Sequence, residues 1–142
     1  MFLFSSKDKK FSSIDEKPFK LKKEIQNFVE SNTEEIFKIR FVSSEFSLDG
    51  LRFDSVCFDE ETKSFVIIEY KKSSSFSIID QGFAYLSTML SHKADLILEY
   101  NETTGKTLKK NEVDWNQPRI IFISPSFTAH QKISTNFKDI PF

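Results

Sequence analysis

The feature that most constrains this fold is a change of hydrophobic period near residue 38. Before that point the apolar residues recur at helical spacing, and from residue 39 to residue 72 they alternate with a period of two. A period of two is typical of half-buried strands. We therefore predict three consecutive strands, at residues 39–46, 51–58 and 64–72, joined as an antiparallel meander.

Helical patterns flank this meander. Leu21, Ile25, Phe28 and Val29 fall on one stripe, which predicts a helix over residues 18–29 with Pro18 in its first turn. A second short helix follows, with Asn32 and Glu35 spaced as a capping box. After the meander we predict a helix at 76–91, strands at 94–100 and 119–124, and a helix at 127–137.

This order of elements predicts an α/β sandwich of three layers, with a mixed sheet of about five strands between helices. Residues 1–17 are expected to form a basic segment, irregular over 5–17, and residues 18–142 a single domain. Because the chain stops straight after its last helix, a further C-terminal strand could be missing.

Composition narrows the function classes. The 142 residues include 20 Lys and Arg against 21 Asp and Glu, so bulk charge cannot drive binding to nucleic acid or to an anionic membrane. Residues 1–23 hold seven lysines and three acids, a net charge of +4, so a local basic surface remains open. Three glycines exclude a glycine-rich nucleotide loop. A lone cysteine, Cys57, suggests a small core residue in a cytoplasmic protein, and no apolar run is long enough to span a membrane.

The register of the hairpin made by the second and third strands follows from its apolar residues. Pairing Phe58 with Phe65 puts Val56 opposite Ile67, so that apolar side chains meet on one face. The same register also determines which charged residues face each other further along both strands.

Continuing the register places Asp54 opposite Glu69 and Arg52 opposite Lys71. Facing like charges destabilise a sheet, so a hairpin selected only for stability would avoid them. Two neighbouring carboxylates suit a hard divalent cation, and an ammonium beside them could orient a metal-bound water. The alternative is a strand that simply leaves the core for solvent.

Gln81 and Tyr85 lie one turn apart on the helix that follows these strands. A short connection would bring this helix over the hairpin, so both side chains could reach the two carboxylates. An ordinary half-polar helix face is the alternative explanation.

The ordered set Asp54, Glu69-Tyr70-Lys71 and Gln81…Tyr85 resembles the PD-(D/E)XK nuclease superfamily, which has the restriction-endonuclease-like fold. The glutamine–tyrosine pair is similar to that of its RecB-type branch. The resemblance covers about residues 18–100 and extends to a group of small bacterial and archaeal proteins. One departure is Phe53, where proline often precedes the aspartate.

The resemblance implies that Asp54, Glu69 and the main-chain carbonyl of Tyr70 hold Mg²⁺ or Mn²⁺. Lys71 would be the catalytic lysine that positions the attacking water, and Gln81 and Tyr85 would support the site.

The superfamily also takes an acidic residue from its first helix. Here Glu24 is the preferred candidate, with Glu30 and Glu45 as alternatives, and the site could be degenerate if none of them reaches it.

The implied function is hydrolysis of DNA, or of RNA, by a metal-dependent nuclease. Lys20, Lys23 and Lys72, together with Lys22 and Lys71, are expected to bind the nucleic-acid backbone, whereas the lysines of residues 106–110 are expected in a solvated loop. Many nucleases of this fold act as homodimers. The alternatives are an inactive module of the same fold that binds nucleic acid or a protein, and a transport-associated accessory protein.

Overall fold

The computed structural model describes residues 2–17, 19–73 and 77–142. An N-terminal hairpin of β1 (Leu3–Lys7) and β2 (Lys10–Ile14) precedes two helices, α1 (Lys22–Glu30) and α2 (Thr33–Phe37). Three strands follow: β3 (Arg40–Leu48), β4 (Leu51–Asp59) and β5 (Ser64–Tyr70). The chain continues through α3 (Ile78–Ser91), α4 (Lys93–Thr104), a 3₁₀ turn (Lys110–Glu112), β6 (Arg119–Ile123) and α5 (Ala129–Ser134).

The main sheet has the strand order β3-β4-β5-β6. The first three strands form the predicted antiparallel meander, and β6 pairs parallel to β5. A parallel neighbour needs a crossover connection, which α3 and α4 supply. The mixed sheet is therefore confirmed, but within the described residues it has four strands rather than about five.

Both faces of this sheet are buried. Val56, Phe58 and Ile67 pack in a core that includes Met89 of α3 and Leu96 of α4. On the other face, side chains of β4 and β5 pack with residues of α1 and α2: Val29, Cys57, Val66, Ile68 and Phe37. All seven residues of β5 are buried, as expected for a strand covered on both faces. Helices thus cover both faces, as the three-layer prediction requires.

The strand predicted at residues 94–100 is wrong, because this segment lies within α4. Its apolar run resembles a strand, but the two buried side chains are Leu96 and Tyr100, which are four residues apart and share a helix face. Gly105 ends the helix in the left-handed conformation that glycine adopts without a steric penalty. Helical spacing and this glycine were the signals available in the sequence.

The N-terminal segment expected to be irregular forms the hairpin of β1 and β2 instead. The first helix begins at Lys22 rather than at residue 18, and Pro18 lies outside the described residues. The capping box predicted at α2 does not form, since the Asn32 amide donates to the Phe28 carbonyl oxygen at 2.7 Å.

The remaining boundaries differ by a few residues. The helix predicted from residue 76 begins at Ile78 in the described part, with residue 76 itself outside it, and the last helix is shorter than predicted. Among the residues that the structure describes, no helix is long and apolar enough to cross a membrane.

Candidate active site

The predicted register of the β4–β5 hairpin is confirmed, with Phe58 opposite Phe65 and Val56 opposite Ile67. The paired residues end at Ser55 and Ile68, so the predicted pairs of Asp54 with Glu69 and of Arg52 with Lys71 lie just beyond the strand pairing and are not strand partners. Beyond that point the main-chain N–H of Tyr70 donates to Oδ2 of Asp54 at 3.1 Å, so this N–H bonds to a side chain of β4 and not to its main chain. Both carboxylates are buried at this end, with 2% of Asp54 and 3% of Glu69 exposed.

Helix α3 covers this end of the hairpin, as the sequence predicted. The Gln81 amide donates to Oε1 of Glu69 at 3.4 Å and to the Tyr85 hydroxyl at 2.9 Å. The Tyr85 hydroxyl in turn donates to the Arg52 carbonyl oxygen at 3.2 Å. Lys71 Nζ lies 3.5 Å from the same Glu69 oxygen. These contacts fix the orientation of the Glu69 carboxylate.

Two buried oxygens at the site have no hydrogen-bond partner among the described residues: Oε2 of Glu69 and Oε1 of Gln81. Burial, and after it the neighbouring Asp54 carboxylate, raises the pKa of Glu69 to about 7. Burial and the nearby Glu69 charge also raise the pKa of Tyr85 to about 12. An unpaired buried oxygen is costly in a fold, and a proton or a cation at the Glu69 carboxylate would relieve that cost.

Helix α1 contributes a cation that the sequence did not predict beside the two carboxylates. Lys22 Nζ lies 2.8 Å from Oδ2 of Asp54, and Arg52 lies at 4.0 Å from its other oxygen. One turn along α1, the buried Gln26 amide donates to the Asp54 main-chain oxygen at 3.0 Å. Two polar residues spaced four apart beside the apolar stripe of α1 were the signal for this contact.

Glu30, one of the three candidate acids, lies on the other side of β4. Its Oε1 accepts hydrogen bonds from Gln26 at 3.0 Å, Ser44 at 2.9 Å and Ser55 at 2.6 Å. Ser55 also exchanges a hydrogen bond with the Tyr70 hydroxyl at 3.0 Å. Glu30 therefore anchors α1 to β3 and β4.

The other two candidate acids are also placed elsewhere. Glu45 pairs with Lys23 at 3.0 Å, and Glu24 is exposed in the first turn of α1. Across the described ranges, no third Asp, Glu, His or Cys side chain joins Asp54 and Glu69 in a cluster.

The donors that are present fit a hard divalent cation. Mg²⁺ is bound in proteins by one or two carboxylates together with waters and substrate phosphates. Asp54 and Glu69 supply two carboxylates, and the unpartnered Glu69 oxygen is available as a ligand. Lys22 on Asp54 shows that this carboxylate accommodates a cation.

The lysines predicted to bind nucleic acid lie partly beside the two carboxylates and partly elsewhere. Lys20 and Lys72 line a cavity beside Lys71, whereas Lys23 is held by Glu45. Cys57 is buried, as predicted, and burial raises its pKa to about 12.

Comparison with known proteins gives the fold. No family model matches the sequence. An uncharacterized protein of Haemophilus influenzae is 47% identical over 141 residues, which is 99% of this chain and 47% of that protein. The chain therefore spans about half the length of this relative.

One solved structure shares the fold at low identity, and a second resembles it more weakly. The crystal structure of a repair endonuclease from Pyrococcus abyssi matches with a TM-score of 0.53 and 17% identity, over 89% of this chain and 47% of that one. The EndoMS–dsDNA2 complex matches with a TM-score of 0.44 and 16% identity, over 88% and 46%. The chain thus shares its fold with a repair endonuclease, which agrees in outline with the restriction-endonuclease-like fold expected from the sequence.

Proposed function

We propose that this chain is a metal-dependent nuclease that hydrolyses phosphodiester bonds of DNA. The observation that carries the proposal is the pair of buried carboxylates, Asp54 and Glu69, one oxygen of which lacks a partner among the described residues. A lysine lies against the same pair. The fold shared with a repair endonuclease supports this assignment.

Asp54, Glu69 and the main-chain carbonyl of Tyr70 would hold Mg²⁺ or Mn²⁺. When bound, such an ion lowers the pKa of a coordinated water and offsets phosphate charge. Gln81 and Tyr85 keep the Glu69 carboxylate oriented toward Asp54, because the Gln81 amide binds one of its oxygens. This preorganisation leaves the other Glu69 oxygen free to act as a ligand.

Lys71 follows Glu69 by two residues and therefore points to the same face of β5. Its side chain is 19% exposed, which lets Nζ reach a bound strand while most of the side chain stays packed. The ammonium donates hydrogen bonds to the attacking water or to a phosphate oxygen, where negative charge grows in the transition state. Lys71 thus positions the nucleophile and stabilises that charge.

One observation favours a second candidate, an inactive module of the same fold that binds nucleic acid or a protein. The Asp54 carboxylate carries an ammonium from the protein itself, and no third acidic side chain of the described residues joins the pair. A protein without catalysis would keep Lys22 there permanently as a structural counter-ion.

Two experiments separate these functions. Linear double-stranded and single-stranded DNA is incubated with the protein and Mg²⁺ or Mn²⁺, beside Lys71→Ala and a control Lys63→Ala, which removes a lysine at the opposite end of the hairpin. We expect metal-dependent cleavage that only Lys71→Ala removes. Absence of cleavage, or equal cleavage by Lys71→Ala, contradicts the nuclease assignment.

The metal site is tested by calorimetric titration with Mn²⁺. We expect one binding event that Asp54→Ala and Glu69→Ala each abolish. Unchanged binding in both variants would show that these carboxylates are not the ligands.

A further inference from the structure

A cavity bordered by Lys71 contains further residues that have no role in the hydrolysis described above. Its volume is about 400 Å³, within the range of roughly 300–1,000 Å³ that is usual for ligand pockets. Its charged lining consists of five lysines and one acid: Lys17, Lys20, Lys22, Lys71, Lys72 and Glu16. Clustered ammonium groups raise the local positive potential, so this cavity favours an anion.

Three of these five lysines are not neutralised by an ion pair within the described residues. Lys22 pairs with Asp54 and Lys71 with Glu69. In the described part of the chain, Lys17, Lys20 and Lys72 form no ion pair. These three exposed cations are available to an anion that enters the cavity.

The first turn of α1 forms one wall of the cavity through Leu21 and Lys22. No side chain caps this nine-residue helix at Leu21, and the N–H of Glu24 donates to the Leu21 carbonyl oxygen at 3.1 Å, so the N–H groups of Lys22 and Lys23 are left for another acceptor. These groups and the helix dipole favour an anion at that end. The uncapped terminus and the lysines thus favour the same ligand charge.

The cavity also has apolar walls, which include Phe19, Ile123 and Pro125. Apolar walls beneath a cationic rim match a nucleotide, whose sugar and base cover apolar surface while its phosphate meets ammonium groups. A free inorganic anion would leave these walls without a partner.

We propose that this cavity is a phosphate-binding subsite that holds the phosphate next to the one being cleaved in a nucleic-acid strand. The inference rests on the proposed function, because Lys22 and Lys71 border both the cavity and the carboxylate pair. The phosphate belongs either to a strand end, as a monoester, or to the continuous backbone, as a diester.

The test measures binding without metal, so that it does not depend on cleavage. A short oligothymidylate with a 3′ fluorescein and either a 5′-phosphate or a 5′-hydroxyl is titrated with the full chain in EDTA, and its anisotropy is recorded. The subsite variant is Lys20→Gln with Lys72→Gln, both at exposed positions. The control is Lys106→Gln with Lys110→Gln, which removes the same charge from exposed positions elsewhere.

We expect the subsite variant to bind the oligonucleotide at least roughly tenfold more weakly than the wild-type protein. The control variant should lose less than about twofold in affinity. If the loss occurs only with the 5′-phosphate the ligand is a terminal monoester, and if it occurs with both oligonucleotides the ligand is an internal diester. Equal losses in both variants would indicate bulk charge alone and overturn the subsite, as would no loss in either.

Cleavage with Mg²⁺, assayed separately, keeps the two proposals distinguishable. Selective binding without any cleavage supports the subsite and overturns the nuclease assignment. Cleavage without selective binding overturns the subsite and leaves the nuclease assignment in place.

Discussion

Each end of the paired segment of β4 and β5 has a buried aspartate: Asp59 lies in the pair beside the turn, and Asp54 directly precedes the pair at the opposite end. The protein satisfies these two carboxylates very differently. Oδ1 of Asp59 accepts the main-chain N–H groups of Glu61 and Thr62 at 2.9 and 3.2 Å, and its Oδ2 accepts Arg119 at 2.8 Å. Burial alone would raise the pKa of Asp59, but these hydrogen bonds outweigh it and lower the pKa. Asp59 is a fully paired structural carboxylate.

At the other end, Asp54 faces a second carboxylate that the protein does not satisfy. Oε2 of Glu69 has no partner within the described residues, and burial raises the Glu69 pKa. The same strand therefore contains one end that stabilises the fold and one that is costly to it. A cost of this kind persists where a ligand or reaction requires it, which supports the proposal that the Asp54 end is the functional one.

The largest expected effect is on cleavage. Glu69→Gln keeps the shape of the side chain but removes the charge of a metal ligand, so we expect Mg²⁺-dependent cleavage of linear DNA to fall by at least about 100-fold. Asp59→Asn, the matched change at the opposite end, should leave cleavage close to normal in a gel assay of the same DNA. A similar loss of cleavage in both variants would show that the two ends do not differ in function.

The second-largest effect is on stability, where we expect the change at Asp59 to cost more than the change at Glu69. Asp59→Ala removes the partner of Arg119 and two main-chain hydrogen bonds, so we expect the free energy of unfolding to fall by roughly 2–3 kcal/mol. Glu69→Gln relieves a like-charge contact and should leave this free energy unchanged or higher. Urea unfolding of the metal-free proteins measures both, and a loss in Glu69→Gln as large as in Asp59→Ala contradicts the comparison.

The two ends should also respond oppositely to pH. Glu69 has a pKa raised from 4.5 to about 7 in the folded state, so the folded protein holds a proton that the unfolded chain has released. Stability should therefore fall by roughly 1–3 kcal/mol as pH rises through this window. The lowered pKa of Asp59 gives the opposite sign, with stability lost as pH falls below its unfolded value of 3.8.

Urea unfolding at pH 4.5 to 7.5 without metal checks the Glu69 contribution. Glu69→Gln should lack this dependence, whereas Asp59→Asn should keep it. A wild-type protein whose stability rises steadily over the same range, with an identical profile in Glu69→Gln, would show that Glu69 is ionised throughout.

The smallest effect concerns the cation already at the Asp54 end. Lys22→Met removes an ammonium that competes for the Asp54 carboxylate, so we expect the affinity for Mn²⁺ to rise by about three- to tenfold in a calorimetric titration. Lys23→Met is the control, because its ammonium pairs with Glu45 instead. Weaker Mn²⁺ binding by Lys22→Met would show that Lys22 supports the site rather than competing for it.

The hairpin that carries the site could be predicted because its information is local. Phe58, Phe65, Val56 and Ile67 can all be apolar neighbours in one register only, and that register sets the neighbourhood of Asp54. The position of Gln81 over the hairpin likewise followed from a short connection and helical spacing.

What could not be predicted depends on packing between distant segments. Leu96 and Tyr100 fit a strand or a helix until α4 is packed against the sheet, where Tyr100 donates to Glu60 at 2.8 Å. Glu24 and Glu30 could not be separated because the face of α1 that meets β4 is set by packing of the helix against the sheet, which helical spacing alone does not determine. The same packing brings Lys22 to Asp54.

The two neighbours of β5 differ in the order in which they can form. Strand β4 is joined to β5 by a turn of a few residues, so their pairing closes a small loop, whereas β6 joins only after α3 and α4 have been traversed. Small loops close at low entropic cost and therefore early. We expect the repulsive contact between Asp54 and Glu69 to be assembled early, in a hairpin that forms before β6 joins the sheet, so that divalent cations accelerate refolding of this protein as well as stabilise its product.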